Sequence, residues 1–247
     1  MKLTVIGCGD AWGTAGRGHT CFRLDAAGRC VLVDFGASAL VSWHGLGQNL
    51  VDVDAIVVSH LHGDHFGGLP FFLLQTQFET RRTRPLSIVG PPGLRERLDR
   101  AVEDFFPSVA ERGWRFPCEI SEVKPGGRAS VAGLDLWTRE VVHQSGSPAT
   151  AIRLAGGGKT FAYSGDTEWT PALEPIADGA DLFVVECYSG ERPVPGHLNW
   201  PALRANLGRL RARRVAITHM GASALARADD MEAEGLTLLR DGLVLDV

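Results

Sequence analysis

Four residues able to bind a transition metal fall within six consecutive positions of this 247-residue chain. In the order His-x-His-x-Asp-His they are His60, His62, Asp64 and His65. The apolar, β-branched run 55–58 before them predicts a buried strand, and the run 69–78 after them predicts a helix with Pro70 in its first turn. The four side chains are therefore expected on a loop at the carboxyl end of a strand, where open α/β layers usually place their chemistry.

The order of these residues indicates two metal ions rather than one. His60 and His62 are close enough to share an ion, whereas the adjacent Asp64 and His65 point differently and can reach a second. Three more predicted strands end in a residue able to bind metal, namely His143, Asp166 and His219. For Asp166, a turn after the strand is the alternative interpretation.

These residues assemble into two candidate ligand sets. The first ion takes His60, His62, His143 and Asp166, and the second takes Asp64, His65, His219 and Asp166. Because a carboxylate has two oxygens, Asp166 is expected to bridge the ions, and a hydroxide between them would fill a remaining position on each. Imidazole and carboxylate donors suit zinc, and manganese, iron and cobalt fit the same donors. The predicted cofactor is therefore two Zn ions.

Composition limits the fold and the partners. With 247 residues, 45% of them hydrophobic, and no linker, the chain is expected to form a single domain over residues 1–247. A net charge of −4 gives no electrostatic argument for binding nucleic acid or a membrane surface. No apolar run approaches a transmembrane span, and residues 1–6 predict a strand rather than a signal peptide. Five scattered cysteines without a Cys-x-x-Cys pair favour reduced thiols and a cytoplasmic location.

The rest of the chain alternates predicted strands with a few helices. The glycine-rich segment 7–19 follows a strand but does not open a helix, which argues against a dinucleotide fingerprint. Residues 114–123 and 130–142 alternate well enough to predict two strands. The segment around His44 resembles a loop, and the basic run 80–84 is interpreted as a solvated helix end.

The full set of candidate ligands resembles the signature of the metallo-β-lactamase superfamily over essentially the whole chain. The resemblance implies an α/β fold, namely the αββα four-layer sandwich of the metallo-β-lactamase fold, and a binuclear metal-dependent hydrolase. It also implies that Asp34, at the end of a predicted strand, supports the metal loop from behind. A turn or helix cap by Asp34 is the alternative.

Within the superfamily the chain most resembles the ribonuclease Z-like branch, because Glu186 follows a late strand and His197 lies in the sequence Gly-His-Leu-Asn. In that branch a glutamate–histidine pair at matching places lets the histidine donate a proton to the leaving alkoxide, which departs badly without one. The resemblance therefore implies that Asp64, Glu186 and His197 are catalytic. The alternatives are an outer hydrogen bond for Glu186 and a helix-start position for His197.

The predicted function is a phosphodiesterase that uses the metal-bridging hydroxide on a small, cyclic or nucleic-acid-derived phosphodiester. Ribonuclease Z proper carries a long Gly/Pro-rich arm that grips transfer RNA, and the segment 145–159 is too short for one, which makes transfer RNA a doubtful substrate. The alternative is a thioesterase resembling glyoxalase II, or a lactonase. His62 argues against a flavodiiron-type redox protein, and the complete ligand set argues against a non-catalytic binding module.

The same resemblance implies a homodimer, because relatives in this branch often pair through the helix after the metal loop. Phe71, Phe72 and Phe78 on that predicted helix would supply the apolar contact. The alternative is that these side chains pack inside the molecule.

Overall fold

The computed structural model describes the backbone of residues 1–247 and every side chain except that of Ala110. Within these residues the strands are β1 (Lys2–Gly7), β2 (Cys21–Ala26), β3 (Arg29–Val33), β4 (Val53–Val57), β5 (Leu86–Gly90), β6 (Cys118–Glu122), β7 (Arg128–Val131), β8 (Leu134–Glu140), β9 (Thr150–Gly156), β10 (Lys159–Tyr163), β11 (Leu182–Glu186), β12 (Val215–Thr218), β13 (Thr237–Leu238) and β14 (Val244–Asp246). The α-helices are α1 (Ala39–Gly45), α2 (Gly63–Phe66), α3 (Leu69–Phe78), α4 (Leu94–Phe105), α5 (Leu173–Ala177), α6 (Trp200–Asn206), α7 (Ala222–Leu225) and α8 (Ala228–Ala233). None of these helices, in the part of the chain described, has both the length and the apolar character of a membrane span.

The strands form two sheets of seven strands each. The order is β14-β1-β2-β3-β4-β5-β6 in the first sheet and β13-β12-β11-β10-β9-β8-β7 in the second. In both sheets antiparallel hairpins give way to parallel neighbours, from β3 to β6 in the first and from β10 to β13 in the second. Parallel strands end at the same edge of a sheet, so each half of the chain brings several strand ends together there.

Three apolar clusters establish the layers. Between the sheets, Phe22 of β2 meets Tyr163 of β10 edge to face, with ring centroids 5.3 Å apart. A second cluster, which includes Trp43 and Leu98, packs α1, α3 and α4 on the outer face of the first sheet. A third cluster, which includes Leu203, packs α5, α6 and α8 on the outer face of the second sheet. The predicted αββα sandwich is therefore confirmed.

The helix after the histidine loop begins and ends where the sequence predicts. Pro70 lies in the first turn of α3, where its missing N–H needs no partner. Leu69 and Leu73 are buried against the first sheet. A helix that is anchored in this way fixes the position of the loop that precedes it.

Two strand predictions in the middle of the chain are wrong in extent. In the predicted strand 114–123, only the second half is regular and forms β6. The predicted strand 130–142 is a hairpin, because the chain turns between β7 and β8 at Ala132 and Gly133, which both have positive φ. Two-residue hairpin turns need this backbone, and the alternating pattern continues through them unbroken.

Two local interpretations are also wrong. His44 lies on α1 rather than in a loop, with Nε2 2.9 Å from Gln75 Oε1. Arg82, in the basic run, is buried rather than solvated. Its guanidinium donates to the backbone carbonyls of Leu50, Val51, Val53, Arg84 and Pro85. A buried guanidinium is tolerated here because its donors are paired.

Candidate metal centre

Strand ends from both sheets meet at one edge of the sandwich. β4 leads to His60, β8 to His143, β10 to Asp166 and β12 to His219. Two backbone hydrogen bonds cross between the sheets here, from Thr150 N to Ser59 O and from His219 N to Cys8 O, each 3.0 Å long. The fold thereby brings all seven candidate ligands into one region.

The inner cluster consists of four buried residues, Asp64, His65, Asp166 and His219. Asp64 Oδ2 and Asp166 Oδ2 each lie 3.2 or 3.3 Å from Nε2 of both histidines. Ligands about 2.0–2.1 Å from a tetrahedral zinc ion are about 3.3–3.4 Å from one another. The four atoms therefore have the spacing of one coordination shell.

The outer cluster consists of His60, His62 and His143. His60 is fully buried and the other two are partly exposed, with His62 Nδ1 2.9 Å from His143 Nε2. Asp166 Oδ2 lies 3.8 Å from His60 Nε2 and 3.9 Å from His143 Nε2. Asp166 Oδ2 therefore faces both the inner and the outer cluster. A ligand that bridges two ions has to lie between them in this way.

A buried carboxylate, Asp34, holds the histidine loop from behind. Its Oδ2 accepts from His65 Nδ1 at 2.7 Å, and its two oxygens accept from the backbone N–H and the hydroxyl of Ser59. That hydroxyl lies 3.1 Å from His60 Nδ1. A carboxylate behind a metal-binding imidazole fixes the ring and raises its basicity. The prediction that Asp34 supports this loop is confirmed.

The backbone of the centre is tightly constrained. Asp34 and His219 have left-handed conformations, with φ of 60° and 55°. For residues with a side chain this conformation costs on the order of 1–2 kcal/mol, which contacts in the folded centre must offset. At Gly36 a Cβ atom would lie 2.1 Å from Asp64 O, so only glycine lets the histidine loop pack on the end of β3.

The two clusters differ in charge, and this difference governs the pKa values of their histidines. Burial alone would lower the pKa of His219, but the charge of Asp166 and a hydrogen bond to Asp64 outweigh it and raise the pKa to about 9. Against burial, the charges of Asp166 and Asp64 also raise the pKa of His65. Burial lowers the pKa values of the three outer histidines. The inner cluster therefore attracts cations, whereas the outer cluster is neutral at pH 7.

Several buried polar atoms of the centre make no hydrogen bond to any described residue. Among them are His60 Nε2, His65 Nε2 and Asp166 Oδ1. His65 Nε2 lies 3.3 Å from two carboxylate oxygens without being aligned to donate to either. Unpaired buried polar atoms are costly, and a shared metal ion satisfies several of them at once. The residues present therefore fit a pair of metal ions.

Glu186 and His197 lie beside both clusters. His197 Nδ1 is 2.9 Å from Glu186 Oε1 and 4.0 Å from Asp166 Oδ2. Backbone N–H groups of Thr167 and Tyr188 donate to the two oxygens of Glu186, which is fully buried. Burial lowers the pKa of His197, but the hydrogen bond to Glu186 and the charge of that residue outweigh it and raise the pKa. Glu186 therefore favours the protonated form of His197 close to the candidate ligands.

The sequence did not reveal the contacts that orient the outer cluster. His143 Nδ1 donates to the Gly196 carbonyl at 2.8 Å, and Gly196 N donates to Glu168 Oε1 at 2.8 Å. The ring centroid of Tyr188 lies 5.0 Å from that of His197. A backbone carbonyl leaves no mark in a side-chain pattern, and an aromatic residue after a strand usually predicts core packing.

Residues 29–220 match a family model described as a beta-lactamase superfamily domain. Ribonuclease Z of Mycobacterium marinum is 26% identical over 197 residues, which cover 74% of this chain and 69% of that relative. The metallo-beta-lactamase fold protein YhfI from Bacillus subtilis superposes with a TM-score of 0.82 and 19% identity, over 99% of this chain and 98% of its own. The short form of human tRNase Z gives a TM-score of 0.80 and 21% identity, over 100% and 99%.

The matched range contains both clusters, together with Asp34, Glu186 and His197. The two sheets with outer helices are also the architecture shared with the solved structures. Sequence, fold and the geometry of the centre thus agree. The chain belongs to the metallo-β-lactamase superfamily, in which it is a metal-dependent hydrolase related to ribonuclease Z.

Proposed function

We propose that residues 1–247 act as one domain that hydrolyses phosphodiesters with two metal ions. The observation that supports this proposal best is the 2.9 Å contact between His197 Nδ1 and Glu186 Oε1 beside both clusters. A protonated imidazole serves a substrate whose leaving oxygen departs poorly, as the alkoxide of a phosphodiester does. A thioester releases a thiolate, which needs no proton, so the pair favours a phosphodiesterase over a glyoxalase II-like thioesterase.

The proposed ligands are those brought together in the two clusters. Asp64, His65 and His219 would hold one ion, His60, His62 and His143 the other, and Asp166 would contact both. Bound there, two cations would lower the pKa of a water molecule and neutralise negative charge on the phosphate. We propose zinc because these donors at tetrahedral spacing suit it, and manganese, iron and cobalt accept the same donors.

The protein's own groups supply orientation and a proton. Glu186 is fixed by two backbone N–H groups, and it orients His197 and favours its charged form. Because Nδ1 of His197 is bonded to Glu186, Nε2 is the nitrogen left to protonate the leaving oxygen. Asp64 is the third proposed catalytic residue, since its Oδ2 faces both histidines of the inner cluster.

The proposed substrate is a small, cyclic or nucleic-acid-derived phosphodiester. A relative named ribonuclease Z and a structural neighbour named tRNase Z support nucleic acid as the source of the substrate. Transfer RNA itself stays doubtful as a substrate. In the part of the chain described, the connection between β8 and β9 spans only residues 141–149 and offers no extended arm.

A substrate screen tests this proposal directly. The metal-loaded protein would be offered alkyl and aryl phosphodiesters, cyclic nucleotides, thioesters and lactones under one set of conditions. We expect turnover of phosphodiesters. A clear preference for thioesters or lactones would replace the proposal with the ester-hydrolase alternative.

Replacing His197 by alanine tests the assignment of the proton donor. With an alkyl phosphodiester the rate should fall roughly 10²–10⁴-fold, the usual contribution of a positioned general acid, and with a p-nitrophenyl diester much less. Metal content should not change, because His197 is not among the proposed ligands. His44→Ala is the matched control, since His44 is an exposed histidine on α1. Equal losses on both substrates would show that His197 positions rather than protonates.

We also propose that the protein forms a homodimer through α3. Phe71 and Phe78 are 41% and 46% exposed, whereas the predicted contribution of Phe72 is wrong, because Phe72 is buried and packs edge to face on Phe35. Light scattering at micromolar concentration should give twice the monomer mass, and a monomer would remove this proposal.

The cytoplasmic location stays a prediction.

A further inference from the structure

Trp12 is the most exposed large apolar side chain in the described part of the chain, with 79% of its surface accessible. Single exposed apolar residues are ordinary on protein surfaces, but this one is held in place. Its Nε1–H donates to the hydroxyl of Tyr188 at 3.2 Å, across 176 positions of sequence. The indole is therefore fixed at its edge while its faces stay open to solvent.

Tyr188 links Trp12 to the metal centre. Its ring centroid lies 5.0 Å from that of His197 and 6.2 Å from that of His219. Gly221 leaves room for the tyrosine, because a Cβ there would lie 3.1 Å from Tyr188 Cε2. The centre, Tyr188 and Trp12 thus form a continuous row that runs from the buried ligands to the surface.

The loop that presents Trp12 is ordered by its own hydrogen bonds. Asp10 is buried, and its carboxylate accepts from the backbone N–H and the hydroxyl of Thr14 at 2.8 and 2.7 Å. Gly13 N donates to Asp10 O at 3.0 Å, which places Trp12 in a tight turn. A ring presented by an ordered loop loses little conformational entropy when a ligand binds to it.

Tyr188 also lines a cleft of about 530 Å³, together with Arg192 and Arg227. Arg227 is paired with Glu191 and Asp230. Arg192 has no ion-pair partner among the described residues. The cleft therefore places the aromatic ring of Tyr188 together with a guanidinium that has no ion-pair partner, which suits a ligand that combines a flat ring with negative charge.

We propose that Trp12 and Tyr188 form a recognition subsite for the nucleobase of the substrate. This inference rests on the proposed function and narrows the substrate class to nucleotide phosphodiesters. The base would stack on the indole of Trp12 while the phosphodiester lies at the metal centre. Stacking tolerates any base, because every base has a π-face. The subsite therefore selects nucleotides over simple alkyl diesters without selecting a sequence.

Two diesters with the same leaving group isolate the contribution of the subsite. They are thymidine 5′-(p-nitrophenyl phosphate) and methyl p-nitrophenyl phosphate, and the readout is the ratio of their kcat/KM values with the metal-loaded protein. Trp12→Ala should lower this ratio roughly 5–150-fold, the range expected for the loss of one base–aromatic stack. Trp12→Phe should lower it less, because phenylalanine keeps an aromatic face but loses the N–H donor.

Phe105→Ala is the matched control, since it removes another exposed ring, which contacts Phe71 and Phe106 instead of Tyr188. Its ratio should equal that of the wild type. If Trp12→Ala leaves this ratio unchanged, even by lowering kcat/KM equally for both diesters, the inference is overturned.

A binding measurement separates failure of the inference from failure of the proposed function. If the wild type hydrolyses neither diester, the proposed function fails. Calorimetric titration with thymidine 5′-monophosphate then still tests the subsite, and Trp12→Ala should raise the Kd by the same factor. No binding to the wild type, or equal Kd values for the two proteins, would overturn the inference.

Discussion

The inner and outer clusters lie side by side, yet they are built differently. The inner cluster has two carboxylates among four buried residues and is backed by a third carboxylate, Asp34. The outer cluster has three imidazoles, two of them partly exposed, and neutral groups orient them, namely the Gly196 carbonyl and the Ser59 hydroxyl. Because opposite charges attract more strongly away from water, the inner cluster should take the first cation and the outer cluster the second.

We expect this difference to give the two proposed metal positions separate tasks. We expect the inner cluster to retain its ion, because two carboxylates would hold the ion in a site shielded from water. The neutral and partly exposed outer position should give a substrate access to the second ion. Asp166 belongs to both, because its Oδ2 lies 3.3 Å from both inner histidines and 3.8–3.9 Å from two outer ones.

Removal of Asp166 should have the largest effect, because this residue faces both clusters. We expect Asp166→Ala to weaken both ions and to lower turnover by at least about 10³-fold, because metal assistance supplies several kcal/mol of transition-state stabilisation. Elemental analysis after reconstitution with zinc and dialysis should give about two equivalents for the wild type and less than one for the variant. A variant that keeps both ions and near-normal turnover would show that Asp166 is not the bridge.

Replacing His143 should separate the two clusters. His143→Ala removes one outer ligand and leaves the four inner residues untouched, so it should empty the outer position and leave about one equivalent of zinc. Turnover should fall less than in Asp166→Ala. A loss of both ions in this variant would mean that the clusters bind metal as one unit.

Within both clusters, the residues differ in how far the sequence predicts them. His60, His62, Asp64 and His65 are predictable because they are almost contiguous and follow a clear strand. His143, Asp166 and His219 are single residues, and they become informative only because each one follows a predicted strand and a metal loop is already present. Layered α/β folds bring such strand ends to one edge, so the order of elements was sufficient to group them.

The sequence failed where the outcome depended on packing rather than on pattern. Phe72 is expected in a dimer contact and Arg82 at a solvated helix end, but packing buries both side chains. The hairpin turn at Ala132 and Gly133 continues an alternating pattern and therefore leaves it unbroken. For Asp34 a turn and a supporting role were equally compatible with the sequence, and only the 2.7 Å contact with His65 Nδ1 distinguishes them.

Asp34→Asn should separate the two clusters further, because Asp34 contacts His65 of the inner cluster directly and reaches His60 of the outer cluster only through the Ser59 hydroxyl. Asparagine tolerates the left-handed backbone at this position, so the substitution adds no strain. We expect zinc affinity at the inner cluster to fall roughly 10–100-fold, the usual effect of losing such a partner, and affinity at the outer cluster to fall less, because Asp34 acts there only through Ser59. Asp10→Asn, at another buried carboxylate, is the control. Equal loss of zinc affinity at both clusters would show that Asp34 stabilises the fold as a whole rather than the inner cluster.

The smallest expected effect is a count of protons. In the metal-free protein the pKa of His219 is about 9 and that of His65 is also raised, so at pH 7 both carry a proton that a metal must displace. The outer histidines have lowered pKa values and are already neutral.

Calorimetry in buffers of different ionisation enthalpy should therefore show about two protons released from the histidines with the first zinc ion and fewer with the second. Because these pKa values are raised, affinity for the first ion should grow as the pH rises, about tenfold per pH unit for each displaced proton, and the contribution of His219 should end once the pH passes about 9. Affinity for the second ion should stay nearly constant. Equal release in both steps would show that the carboxylates do not set the order of binding.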